Sequence, residues 1–256
     1  MRKSLTLLAL IMIAATLNAQ NFRKIRKAAE AFVESGKYED AVEQYTHAIQ
    51  LKPTDIDMYL ERGKAYEAME LYDEAYSDYE KAHVFDPKEP EVLYLLGRVS
   101  NKMEKYDQAL AHLNRASAVA KRESKIYPEK VWTLLQLEEY EQALKVSDTA
   151  MLFDEDALNY YQRGLAYESL NNDILAKKDF ENSVRKDKRF DDARLALANL
   201  LVRTGSLDDA MAHCTAVLEY NDRSTDAYLT RSRIFIKQLD YPSAINDVSR
   251  NILIES

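Results

Sequence analysis

Small and apolar residues return along this chain at a fixed interval. An alanine stands at Ala41 in KYEDAVEQY and recurs at Ala75, Ala109, Ala143, Ala176, Ala210 and Ala244, in steps of 34 residues with a single step of 33. A second small position lies upstream of each, at Ala29, Gly63, Gly97, Val131, Gly164, Ala198 and Ser232. Three residues beyond it come Phe32, Tyr66, Ser100, Leu134, Tyr167, Leu201 and Phe235. In the third unit Leu93, Leu96, Gly97, Ser100 and Met103 fall at helical spacing and make one apolar stripe. Gly97 lets a second helix approach closely, and Ala109 does the same from the other side. Val131 departs from this rule and predicts a wider helix pair in the fourth unit. Second helices open with acids (Glu39-Asp40, Asp73-Glu74, Asp107, Glu141, Asp208-Asp209), where free backbone N–H groups and the helix dipole favour negative charge. Pro242 takes that place in the last unit, as suits a first helical turn. The pattern predicts helix–turn–helix units starting near Phe22, Ile56, Pro90, Ser124, Ala157, Asp191 and Thr225. One pair of helices cannot bury its stripe alone, so the units must stack.

With these motifs in hand, the chain resembles the tetratricopeptide repeat (TPR) family, whose unit is a 34-residue helix–turn–helix. The segment YLERGKAYEAMELYDEAYSDYEKAHVFDP, residues 59–87, is similar to a nearly complete motif, and YYQRGLAYESL, residues 160–170, matches a first helix. The resemblance implies an all-α, right-handed superhelical solenoid of about seven units covering residues 20–256. Departures are local: the family's repeat-ending proline occurs only as Pro53 and Pro87. Asp173 replaces the tyrosine that starts other second helices at Tyr38, Tyr72, Tyr106 and Tyr140.

Residues 1–19 stand outside the repeat. Arg2 and Lys3 precede an apolar run of 13 residues, 5–17, followed by Asn18-Ala19-Gln20. That order is the one of a secretory signal cleaved after Ala19, and the run is shorter than the roughly 20 residues a spanning helix needs. An uncleaved N-terminal anchor is the other reading. The expectation is an exported chain of the periplasm or cell envelope, with no transmembrane span once the signal is removed.

Composition then narrows the chemistry. Gly and Pro number only 5 each, too few to punctuate the short strands of a sandwich or barrel. The net charge of -8 argues against nucleic acid as the partner, because neutralising phosphates takes clustered Lys and Arg. The one basic cluster, Arg23, Lys24, Arg26 and Lys27, reads either as a contact for anionic lipid or an acidic partner, or as a solvated helix face. Cys214 is the single cysteine and excludes an internal disulfide. It occupies the position of Tyr45, Tyr79 and Phe180 and reads as core. His47, His83, His112 and His213 are scattered over second helices without metal-site spacing and read as surface residues. The five glycines sit at packing or turn positions and build no phosphate loop. The acid groups Asp208-Asp209 and Asp154-Glu155-Asp156 are accounted for by helix starts. No catalytic constellation, cofactor site or metal site is expected.

Function must then lie on a surface. The resemblance implies that first helices line a concave groove, where the residues opposite the packing stripe face a partner. These are Leu60 and Lys64, Tyr94 and Arg98, Trp132 and Leu135, and Tyr161 and Leu165. Aromatic and arginine side chains are frequent interface anchors. The other reading of Tyr94, Trp132 and Tyr161 is padding between neighbouring first helices. TPR domains that grip a C-terminal carboxylate use Lys and Asn in the groove. Arg26, Glu30 and Glu61 stand at those positions here, so the resemblance does not extend to that clamp. The leading expectation is a non-enzymatic scaffold of the bacterial envelope binding a protein or peptide partner. The alternative is an accessory or regulatory arm of a larger secretion or wall-binding assembly whose activity lies elsewhere. The last helix, with Ile245, Val248 and Ile252, predicts an exposed apolar strip and self-association through the C-terminal unit.

Overall fold

The computed structural model describes residues 2–255, with side chains described from residue 16 to residue 254. Among the described residues every regular element is a helix. In chain order these are α1 (Arg2–Glu34), α2 (Tyr38–Leu51), α3 (Ile56–Ala68), α4 (Tyr72–Phe85), α5 (Pro90–Lys102), α6 (Tyr106–Val119) and α7 (Ile126–Gln136). They continue as α8 (Tyr140–Met151), α9 (Ala157–Ser169), α10 (Asp173–Lys186), α11 (Asp191–Thr204), α12 (Leu207–Tyr220), α13 (Thr225–Lys237) and α14 (Tyr241–Glu255). Fourteen helices make seven pairs, as the period demands. They divide between two compact bodies, Met1–Ile126 and Tyr127–Ser256.

Five first helices start where the sequence places them, at Ile56, Pro90, Ala157, Asp191 and Thr225. The fourth starts two residues late, at Ile126, with Pro128 in its first turn, where a missing N–H leaves no bond unmade. The first does not begin at Phe22 but runs unbroken from Arg2. The side chains of residues 1–15, and so most of the apolar run, lie outside the described residues. Residues 16–21 are exposed, and Phe22 is the first buried residue among the described side chains.

Each pair turns through the same device. The residue closing the first helix adopts a left-handed conformation at Gly36, Glu70, Glu104, Glu138, Asn171, Gly205 and Leu239, with φ between 57° and 91°. The next N–H donates back to the carbonyl five residues earlier, as in Lys105 N to Ser100 O at 2.9 Å and Asp240 N to Phe235 O at 2.9 Å. This is a Schellman closure, in which glycine is the unstrained occupant.

Packing inside the pairs follows a size rule. A Cβ added at Gly63, Gly97 or Gly164 would lie 2.4–2.5 Å from Tyr79, Leu113 or Phe180 respectively, so each glycine makes room for one large side chain of the second helix. Repeat position places Ser147 opposite Val131 and Cys214 opposite Ala198. In these two units the larger first-helix residue is matched by a smaller second-helix one, whereas the first unit keeps Tyr45 opposite Ala29, both buried. Val131 and Ser147 are both buried. The bulkiest of the small positions on the first helices is thus matched in the repeat register by a small residue on the second helix.

A polar tie recurs at fixed places. Arg62 Nε and Nη2 each donate to the Asp78 carboxylate at 2.7 Å. Arg163 grips Asp179 at 2.7 and 3.0 Å, and Arg231 grips Asp247 at 2.7 Å through both nitrogens. The three aspartates are buried, and two-pronged geometry is what makes a buried ion pair tolerable. In the third and sixth units the same two positions hold Leu96 with His112 and Leu197 with His213.

Candidate functional site

The first helices carry the expected partner-facing residues, and each body presents its own set. In the N-terminal body Leu60 and Tyr94 are core residues, only 7% and 9% exposed, rather than part of an open surface. Both lie four residues into their helices and belong to the apolar core of that body. Lys64 and Arg98 are half-buried and held by carboxylates. Lys64 Nζ lies 2.9 Å from Glu61 and 3.9 Å from Glu91. Arg98 Nη2 donates to Glu67 Oε1 at 2.9 Å, and the Tyr79 hydroxyl donates to the same oxygen at 2.6 Å. Lys125 pairs with Glu91 and sits 4.9 Å from the Tyr94 ring centre. The Glu67 and Glu91 carboxylates hold the Arg98 and Lys125 cations in their charged form against burial. This face neutralises its own charges.

The C-terminal body differs. Trp132 is 41% exposed, Leu135 is half-buried, and both lie on α7. Tyr161 packs edge-on to Phe190 at 5.1 Å and obliquely on Phe180 at 6.1 Å, so it both pads the core and reaches the surface. It does so in a cleft of about 330 Å³ lined by α9, α11 and α13. From α9 come Tyr161, Leu165 and Glu168; from α11 Asp192, Leu195 and Asn199; from α13 Asp226, Leu229 and Arg233. The lining is a grid set by the repeat. Tyr161, Leu195 and Leu229 share one position and form an apolar row, and Leu165, Asn199 and Arg233 share the next. Trp132 and Leu135 are not among the cleft residues, while Tyr161 and Leu165 are. Leu195, Asn199, Leu229 and Arg233 were not singled out in the sequence, although stepping 34 residues along from Tyr161 and Leu165 finds them.

Charge in the cleft is only partly compensated. Glu168 meets Arg203 at 3.1 Å, and Arg203 also reaches Asp173 at 2.6 Å. Among the described residues no ion pair engages Asp192 or Asp226. Asp192 is exposed, and its carboxyl is raised above the usual aspartate range by partial desolvation in the cleft, then by the like charges of Asp191 and Asp226. Arg233 donates only to the neutral Asn199 amide, at 3.4 Å.

The histidines correct the sequence expectation. His47 is exposed, but His83, His112 and His213 are half-buried, with Nδ1 enclosed and without a partner. Burial lowers the affinity of all three for a proton, and neighbouring arginines lower it further. Among the described residues no cluster of His, Cys, Asp or Glu could hold a metal ion. Cys214 is buried, and desolvation pushes its thiol up to about 12, which leaves it unreactive. No described helix is long and apolar enough to cross a membrane. At the end of the C-terminal body Ile245 and Ile252 are more than half exposed, beside Val248, as the sequence expects of that strip.

Comparison with known proteins assigns this architecture. Residues 29–70 match a TPR repeat model and residues 161–228 a tetratricopeptide repeat model. A tetratricopeptide repeat protein from Parabacteroides merdae is similar in structure, with a TM-score of 0.78 at 16% identity, covering 93% of this chain and 94% of that one. A thermophilic TPR protein from Thermus thermophilus is 26% identical over 75% of this chain and 99% of that one, with a TM-score of 0.59. The APC/C hetero-tetramer Cut9–Hcn1 contains a chain similar over 88% of this chain and 45% of that one, with a TM-score of 0.75 at 15% identity. No curated protein matches this chain.

Proposed function

We propose that this chain, which belongs to the tetratricopeptide repeat family, is a non-enzymatic scaffold that holds a segment of a partner protein against its first helices. The observation that carries the reading is the cleft of α9, α11 and α13, where three successive repeats set the same two positions side by side, one as an apolar row and the other as Leu165, Asn199 and Arg233. Such a surface is a concave recess in which apolar and polar side chains alternate, so it offers a partner segment both contact area and fixed polar groups.

The scaffold works in the bacterial cell envelope. The order of charged, apolar and small residues over 1–19 supports export, and Phe22 is the first buried residue among the described side chains, so cleavage after Ala19 leaves every described buried residue in place. The acidic balance supports a protein partner over nucleic acid. Exposed Ile245, Val248 and Ile252 support self-association through the C-terminal unit. An accessory arm of a larger secretion or wall-binding assembly uses the same surfaces and differs only in where the activity lies.

Affinity capture from envelope extracts, followed by identification of co-purifying proteins, tests the scaffold. The full-length bait should retain a defined partner, and Leu229→Lys, which puts a charge into the apolar row, should lose it while far-UV circular dichroism stays unchanged. Intact mass of the envelope-fraction protein should correspond to a chain starting at Gln20. A cytoplasmic chain that keeps Met1 overturns the envelope assignment. Retention of the same proteins by wild type and Leu229→Lys overturns the cleft as the binding surface.

A further inference from the structure

The two bodies treat charge on their first helices in opposite ways. In the N-terminal body the carboxylates Glu67 and Glu91 are each held by a cation. In the C-terminal cleft Asp192 and Asp226 have none, and Asp192 lies close enough to Asp226 for the second charge to lift its proton affinity. Both acids sit in the first turn of their helices, where the dipole already favours a carboxylate. Yet Asp192 binds its proton more tightly than an ordinary aspartate, through partial desolvation and the two acids around it. Both carboxylates are exposed and have no ion-pair partner among the described residues, so a cation can reach them from solvent.

The surroundings of the two acids say how that cation would arrive. Beside the acids runs the row of Tyr161, Leu195 and Leu229, and beyond it stands Arg233. Asp226 and Arg233 are seven residues apart on α13, which is roughly 10.5 Å along the helix axis. Negative end, apolar middle and positive end therefore lie in sequence across one cleft. We propose that the cleft recognises a partner segment carrying a lysine or arginine next to aliphatic residues, with the cation between Asp192 and Asp226 and the aliphatic side chains on the apolar row. Arg233 repels a second cation and sets the direction in which the segment lies. This rests on the scaffold reading and adds to it the chemistry of the partner. An ammonium or guanidinium group placed there relieves the repulsion between the two acids as it binds, and complementary charge fixes orientation and selects partners.

Selection of random displayed peptides on the whole protein tests it, since such a selection needs no identified partner. Wild type should enrich peptides with Lys or Arg flanked by Leu, Ile or Val, and raising the salt concentration should weaken the enriched peptides. The double variant Asp192→Asn, Asp226→Asn should bind those peptides at least tenfold more weakly by fluorescence anisotropy. Asp192→Lys with Asp226→Lys should shift the enrichment to Asp or Glu beside aliphatics. Asp192→Asn alone should raise the thermal midpoint of the free protein, which confirms that the variant is folded. Peptides enriched without a basic residue, or bound equally by all variants, overturn the inference while the scaffold stands. Failure to enrich any sequence overturns it as well, and the capture experiment with envelope extracts then decides the scaffold separately.

Discussion

Gly164→Ala adds one carbon where the structure has no room for it. Its Cβ would lie 2.5 Å from Phe180 Cε1, 2.6 Å from Cδ1 and 3.3 Å from Cζ. Phe180 is fully buried and leans on Tyr161, so the ring has nowhere to retreat. Forcing a methyl into a filled core costs about 1–3 kcal/mol, and exchanging a helical glycine for alanine returns about 1 kcal/mol. The expected result is a net loss of about 1 kcal/mol. Phe180→Cys alone should lose about 3 kcal/mol, because it leaves a cavity. In that background the obstacle is gone, the propensity gain remains, and Gly164→Ala should now stabilise by up to about 1 kcal/mol. The double variant recreates the pairing of Ala198 with Cys214 that the sixth unit already carries. The assay is urea denaturation of the four proteins by far-UV circular dichroism. The fluorescence of Trp132, the single tryptophan and in the same body, is a second probe, because long arrays can melt in stages. A change of the same sign and size for Gly164→Ala in both backgrounds refutes the size rule.

The left-handed closures give a second test. Glu104→Gly and Leu239→Gly should each stabilise by up to about 1 kcal/mol, and Gly205→Ala should lose about as much, all read as thermal midpoints. Asp179→Ala leaves the Arg163 cation with only the exposed Asp148 carboxylate and should cost up to about 3 kcal/mol in urea. Arg163→Leu with Asp179→His, which copies the Leu197 and His213 pairing, should cost less than that single change. The histidines set a pH dependence: His112 and His213 are held neutral in the fold, below their ordinary proton affinity. Unfolded histidine takes up a proton at about pH 6.5, so their contribution is complete above that value and is lost as the pH falls through the lower folded values. Denaturation midpoints should therefore drop between about pH 7 and pH 5, and the drop should shrink in His112→Gln, His213→Gln.

Helix identity, the number of pairs and most helix starts were legible in the residues alone, because they follow from spacing: a repeated small position, an apolar stripe and an acid at each helix start define a unit locally. Gly63, Gly97 and Gly164 could be assigned to close packing on that ground, since a glycine inside an apolar stripe has no other use. What each side chain meets could not be read in the same way. Tyr94 and Trp132 are both aromatics on first helices, yet one is covered and the other is 41% exposed. That outcome depends on the neighbouring helix, not on the residue. Lys64 and Arg98 read as cations available to a partner, but carboxylates from the adjoining helix hold them. Asp192 and Asp226 read as ordinary helix starts, and only the packing of α11 beside α13 places them together without a counter-charge. A period along the chain dictates which backbone forms, because backbone conformation responds to near neighbours. Burial and charge balance belong to residues brought together from distant positions, so they exist only once the helices have packed.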